Sequence, residues 1–188
     1  MALVSNGNKL FVYVYIGFPD GQSGGLAQGV NSPNCMTVDR DEEYLYVVRT
    51  TRADVVRFPI QADGLGEPED YGPSMGDRRS DEFGVDALGI FAADPAAARR
   101  WGMADGCGFD AQGNLWVTLV GAHRIVAVTP ERELVTIIED PDGSLINSPT
   151  SVAWGGSDMQ DVYIGSLATP YVLKGRSSVA GLPMIHQR

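Results

Sequence analysis

The chain has few side chains of obvious reactivity, with two histidines and two cysteines among its 188 residues. Two oxygen donors stand out by position instead. Asn34 follows Pro33, and Asp105 precedes Gly106. Read alone, each is a turn residue: an amide bonding its own backbone after a proline, and the first member of an Asp-Gly turn. They also occupy the same place in two sequence repeats, and Thr150 and Ser151 hold that place in a third. Those two hydroxyls either line a pocket or cap a turn. His123, in Gly121-Ala122-His123-Arg124, reads as a surface turn residue, and no serine or cysteine forms a nucleophile elbow beside it. His186 lies in the tail and reads as inert. Cys35 and Cys107 show neither a Cys-x-x-Cys spacing nor a zinc pattern. They read as small core residues in a reducing compartment.

Charge narrows the partners. Lys and Arg total 14 against 24 Asp and Glu, a formal net charge of −10. Nucleic acid is excluded on that balance, because its affinity rests on cations neutralising phosphates. A cation or a neutral small molecule stays compatible. The longest apolar run, Leu10–Phe18, is far short of the roughly 20 residues of a membrane span, so no membrane partner is expected. Met1 to Lys9 lacks the apolar core and cleavage site of a signal peptide, which points to the cytoplasm.

The elements that must position these residues are almost all strands. Short runs rich in Val, Ile, Tyr and Trp recur at Lys9–Ile16, Tyr44–Arg49, Asp54–Phe58, Leu115–Leu119, Arg124–Val128, Leu134–Ile138, Val162–Ile164 and Tyr171–Leu173, separated by Asn-Gly and Asp-Gly turns. Asp94–Arg100 alone reads as helix, with an acidic N-cap followed by proline. Each repeat is strand, tight turn, apolar strand with an aromatic, turn, strand. Asp105 and Thr150 lie 45 residues apart, close to the roughly 40–45 of a four-stranded propeller blade. Asn34 and Asp105 lie 71 apart. The surplus is an acidic surface insert over about 63–102 that ends in the short helix; Asp63 to Asp94 holds nine acidic and two basic residues. The expected fold is therefore all-β: residues 1–188 as one β-propeller domain of four-stranded antiparallel blades, about three to four in number. Trp116, Trp154, Tyr46 and Tyr163 are expected to pack between blades.

Three motifs carry a family resemblance. They are Pro33-Asn34-Cys35-Met36-Thr37-Val38-Asp39 before Tyr44-Leu45-Tyr46-Val47, Ala104-Asp105-Gly106-Cys107 before Gly113-Asn114-Leu115-Trp116-Val117, and Ser148-Pro149-Thr150-Ser151-Val152-Ala153-Trp154 before Val162-Tyr163-Ile164. In this order, over residues 29–175, they resemble the regucalcin, gluconolactonase and luciferin-regenerating enzyme group of six-bladed propellers. The resemblance places the chain in the C-terminal half to two-thirds of such a propeller. It implies a metal-dependent hydrolase that opens a sugar lactone or related ester. Asn34 and Asp105 match the family's Asn and Asp ligands to an axial divalent cation, with Ca²⁺ first and Mg²⁺, Mn²⁺ or Zn²⁺ as alternatives, and Asp105 doubles as the general base. The family's glutamate ligand, in a Gly-Glu-Gly-Pro setting, has no equivalent in this sequence. That departure supports the alternative of a non-catalytic binding or scaffold propeller, or a truncated copy without the catalytic first blade. Part of a ring leaves blade edges open, so pairing with a second copy is expected.

Overall fold

A computed structural model describes residues 3–6, 9–12, 14–17, 23–27, 30, 32–77 and 93–183. Residues 78–92 of the acidic insert, and His186, lie outside the described residues.

Among the described residues, sixteen strands and one short helix follow in chain order. They are β1 (Leu3–Asn6), β2 (Lys9–Val12), β3 (Val14–Gly17), β4 (Ser23–Ala27), β5 (Pro33–Val38), β6 (Tyr44–Arg49), β7 (Asp54–Gln61), β8 (Gly64–Leu65), β9 (Glu69–Asp70), α1 (Pro95–Trp101), β10 (Ala104–Phe109), β11 (Leu115–Leu119), β12 (Arg124–Val128), β13 (Leu134–Glu139), β14 (Pro149–Gly155), β15 (Asp161–Ser166) and β16 (Leu173–Arg176). Every pairing is antiparallel. β1 pairs with β2 and β3 with β4, so the strand expected over Lys9–Ile16 divides between two sheets. Three larger sheets then follow the repeats: β5 to β9, β10 to β13, and β14 to β16. Each is an up-and-down meander, the construction of a propeller blade.

The first strands of these sheets, β5, β10 and β14, lie side by side, so their starts face a common axis. Between the first two large sheets sits a core of Tyr46, Val48, Val55, Tyr71, Phe109, Leu115, Val117 and Val126. Tyr46 meets Tyr71 and Phe109 edge-on, each at 4.9 Å between ring centroids. Between the second and third sheets, Trp116 packs T-shaped on Trp154, again at 4.9 Å, amid Ile125, Val152 and Val162. Full burial of such side chains contributes about 1.5–3 kcal/mol each, which fixes one blade against the next. Tyr163 departs from the expected packing. It is 37% exposed on the far face of the third sheet, with the Lys174 ammonium 5.6 Å from its ring centroid.

The insert is narrower than its composition suggests. β8 and β9, at its start, both pair with β7, and Tyr71 and Met75 are buried in the core, so this stretch belongs to the blade. At its end, Asp94 caps α1 by accepting from the Ala97 N–H at 2.9 Å, and Gly102 closes the helix at φ 81°. Trp101 anchors the helix, fully buried, with its indole N–H donating to the Thr51 carbonyl at 3.1 Å. β16 begins later than the Tyr171–Leu173 run suggests. Pro170 has no N–H for a ladder, and the Thr169 hydroxyl bonds the Tyr171 carbonyl in a local turn. Among the described residues, no helix is long and apolar enough to cross a membrane.

Candidate active site at the starts of the inner strands

The same local construction recurs three times where the chain enters an inner strand. Ser32, Met103 and Ser148 precede β5, β10 and β14, and all three are left-handed, with φ of 51°, 55° and 50°. Each offers its carbonyl to the turn after the neighbouring strand: Ser32 to Thr50 N–H, Met103 to Val120 N–H and Ser148 to Leu167 N–H, at 3.0, 3.1 and 3.0 Å. Left-handed backbone at a residue with a side chain is costly and persists only where the surroundings hold it. Immediately afterwards each strand breaks register, between Pro33 and Met36, between Ala104 and Cys107, and between Pro149 and Ser151. The residues inside the three bulges are Asn34 with Cys35, Asp105 with Gly106, and Thr150. A bulge re-aims a side chain that regular pleating would commit to one sheet face.

Asn34 and Asp105 are brought together. Their side chains approach each other across β5 and β10, close enough for the Asn34 amide to favour the ionised Asp105 carboxylate. The Asn34 amide also donates to the Thr50 hydroxyl at 3.2 Å. Thr118, fully buried opposite the second bulge, accepts from the Gly106 N–H at 2.9 Å and so steadies the backbone beside Asp105. Gly106 is required there. A Cβ at this position would stand 2.3 Å from the Thr150 carbonyl oxygen and 2.7 Å from Ser151 Cα. Only a residue without a side chain lets the second and third inner strands approach this closely. Thr150 and Ser151 thus flank Asp105 through the backbone of its neighbour, and their hydroxyls also crowd Gly165.

Electrostatics sets Asp105 apart. Burial pushes its carboxyl up to about 6, and the Asn34 amide offsets only part of that rise. Among the described residues, no lysine or arginine acts on it. Such a carboxylate has proton affinity near neutral pH and an unmet demand for positive charge.

Cys35 and Cys107 are not separate core residues. Both are half-buried, and they meet beside Asp105: the Cys35 thiol donates to the Cys107 carbonyl at 3.4 Å. The Cys107 side chain lowers the Cys35 thiol below its ordinary value, while the Cys35 side chain and burial raise Cys107.

Other candidates are occupied structurally. His123 sits in the β11–β12 turn, where its Nδ1 accepts from the Ser148 N–H at 2.9 Å. Burial lowers its pKa, and the Arg99 charge lowers it further. A cavity of about 330 Å³ opens at the opposite end of the strands, lined by Asp39, Arg57, Tyr71, Asp110 and Leu182 among others. Its charged groups serve the fold: Asp39 accepts from Glu43 and Tyr44 N–H, and Arg57 pairs with Glu69.

Residues 6–168 match the family described as "SMP-30/Gluconolactonase/LRE-like region". The chain belongs to this family. It is 26% identical over 146 residues to "Putative sugar lactone lactonase YvrE" of Bacillus subtilis (strain 168), an alignment covering 77% of this chain and 41% of that protein. Among solved structures, luciferin-regenerating enzyme superposes with a TM-score of 0.61 at 17% identity, over 92% of this chain and 54% of that one. A gluconolactonase from Xanthomonas campestris gives 0.61 at 17%, over 90% and 44%. Regucalcin from Agrobacterium tumefaciens, described as a calcium-binding protein, gives 0.53 at 16%, over 86% and 46%. At such identities the likeness is one of fold, that of a propeller, here an open run of blades. The chain spans about half the length of these family members.

Proposed function

We propose that Asn34 and Asp105 form the axial site of a hydrolase that opens a sugar lactone or related ester. One observation carries the reading: a half-buried carboxylate, raised to about 6, whose side-chain neighbour is a neutral amide. A base of that affinity is unprotonated at neutral pH yet still takes a proton readily. Asp105 would accept a proton from a water as the water oxygen bonds to the lactone carbonyl carbon. It would return that proton to the ring oxygen as the acyl C–O bond breaks. Asn34 fixes the carboxylate's orientation, and Thr150 and Ser151 flank the pocket.

The donor set fits a hard divalent cation. A carboxylate and an amide carbonyl suit Ca²⁺ first, with Mg²⁺, Mn²⁺ or Zn²⁺ as alternatives, and the uncompensated charge of Asp105 favours any of them. Such a cation, held by Asn34 and Asp105, would polarise the lactone carbonyl. The match to lactonase-type proteins supports this chemistry, as does the calcium-binding description of the Agrobacterium regucalcin.

A second reading rests on a specific observation. Among the described residues, no group of three His, Cys, Asp or Glu side chains could hold a metal ion. A site with two ligands suits a module that binds a cation or sugar without turning it over. Hydrolysis of a panel of γ- and δ-lactones, with Ca²⁺ and then with chelator, decides between the two. The hydrolase reading expects chelator-sensitive turnover that Asp105→Asn abolishes. Turnover indifferent to both, or none on any lactone or ester, overturns it.

A further inference from the structure

We propose that Cys35 and Cys107 are a modification site: an intrachain disulfide that forms on exposure to peroxide and staples the inner strands of two neighbouring blades. The thiols belong to β5 and β10, neighbouring strands of different sheets. Cys35 Sγ lies 3.4 Å from the Cys107 carbonyl oxygen, and both side chains pack against the same inter-blade core. Both are half-buried where they pack against the inter-blade core, which leaves them within reach of a small oxidant.

The chemistry balances with a peroxide as the oxidant. One thiol sulfur attacks the O–O bond, becoming a sulfenic acid and releasing one water. The second sulfur attacks the first, forming the S–S bond and expelling another water. Two S–H bonds are lost, the sulfur pair gives up two electrons, and the peroxide takes them. A dithiol reverses the change by exchange. In a reducing compartment the bond is transient, the usual form of a redox-responsive pair there.

The cross-link joins residues 72 apart in sequence, so it closes a long loop that includes the outer strands of one blade and α1. It also fixes the gap between Asn34 and Asp105, which flank the two cysteines in sequence. That consequence rests on the proposed function; the bond itself does not.

The experiment treats the full chain with hydrogen peroxide under non-reducing conditions and reads intact mass, peptide maps and melting temperature. The expected product is a monomer lighter by two hydrogens, containing a Cys35–Cys107 linked peptide. Its melting temperature rises by about 10 °C, as expected for closing a loop of this length, and dithiothreitol reverses the rise. Cys35→Ser and Cys107→Ser should each instead gain oxygen on the remaining sulfur or link two chains. Wild type that keeps both thiols, gains oxygen atoms as the single variants do, or links only between chains overturns the proposal. The linked peptide forms or fails whether or not any lactone is opened, so the two readings fail separately.

Discussion

Asp105 and Asp110 stand at opposite ends of β10 and live in opposite circumstances. Asp110 is 2% exposed and saturated: it accepts from Gln112 N–H, Asn114 N–H, the Asn114 amide and the Trp116 indole, at 2.8 to 3.0 Å. Asp39 plays the same part at the end of β5, binding the N–H groups of Glu43 and Tyr44. These carboxylates close the β5–β6 and β10–β11 turns. Asp105 closes nothing. It lies near the Asn34 amide and is held in a bulge at a burial cost that raises its pKa to about 6. The repeat therefore spends one acidic position on architecture and leaves another poorly compensated, and a carboxylate with a perturbed pKa is where chemistry is found.

Substitution at each end should separate the two roles. Asp105→Asn keeps the shape and a hydrogen-bonding partner for Asn34 but removes base and charge, so turnover should fall by about 10²–10⁴-fold. The fold should gain. In the wild type, the folded state holds the Asp105 proton up to about pH 6, whereas the unfolded chain releases it near the ordinary 3.8. The folded form thus binds more protons between those values, and its stability declines as pH rises through that window. Thermal melts across pH should find Asp105→Asn more stable than wild type above pH 6, with the gap closing toward acid. Wild-type turnover should decline below pH 6, as the base becomes protonated.

Asp110→Ala should do the reverse. It leaves four donors, including the buried indole N–H of Trp116, without an acceptor, and should cost about 3–5 kcal/mol in a denaturant titration. An Asp110→Ala variant as stable as wild type would break the contrast. The smallest effect belongs to Asn34→Ala. Asn34 is exposed, so stability should change by under about 1 kcal/mol. Turnover should drop roughly tenfold, because orientation and a neutral ligand are lost while the base remains. Equal losses from Asn34→Ala and Asp105→Asn would show that the two residues share one role.

Much of this was legible in the residues. The repeats announce themselves because a blade needs the same alternation and the same turns each time, and α1 is written in Asp94 followed by Pro95. Position within the repeat, not residue type, singled out Asn34 and Asp105. The left-handed entries were hidden, because Ser32, Met103 and Ser148 are not the glycines or asparagines that advertise positive φ. Tertiary packing imposes that backbone. Thr50 and Thr118 were missed for a related reason: their roles come from lying opposite the bulges, a register no single strand declares. The meeting of Cys35 with Cys107 depends on how two sheets stack, which spacing along the chain does not encode. β9 was concealed by its composition, since Glu69 and Asp70 look like loop, yet they pair with β7, where Arg57 and Arg49 meet their carboxylates.

The central claim is that Asp105 is a carboxylate waiting for a cation. Calorimetric titration of Ca²⁺ into the full chain at neutral pH, for wild type and Asp105→Asn side by side, tests it most directly. The account predicts saturable binding with one ion per chain in wild type, weakened below pH 6 and absent in the variant. Binding of equal strength in both proteins, or none in wild type, would contradict it.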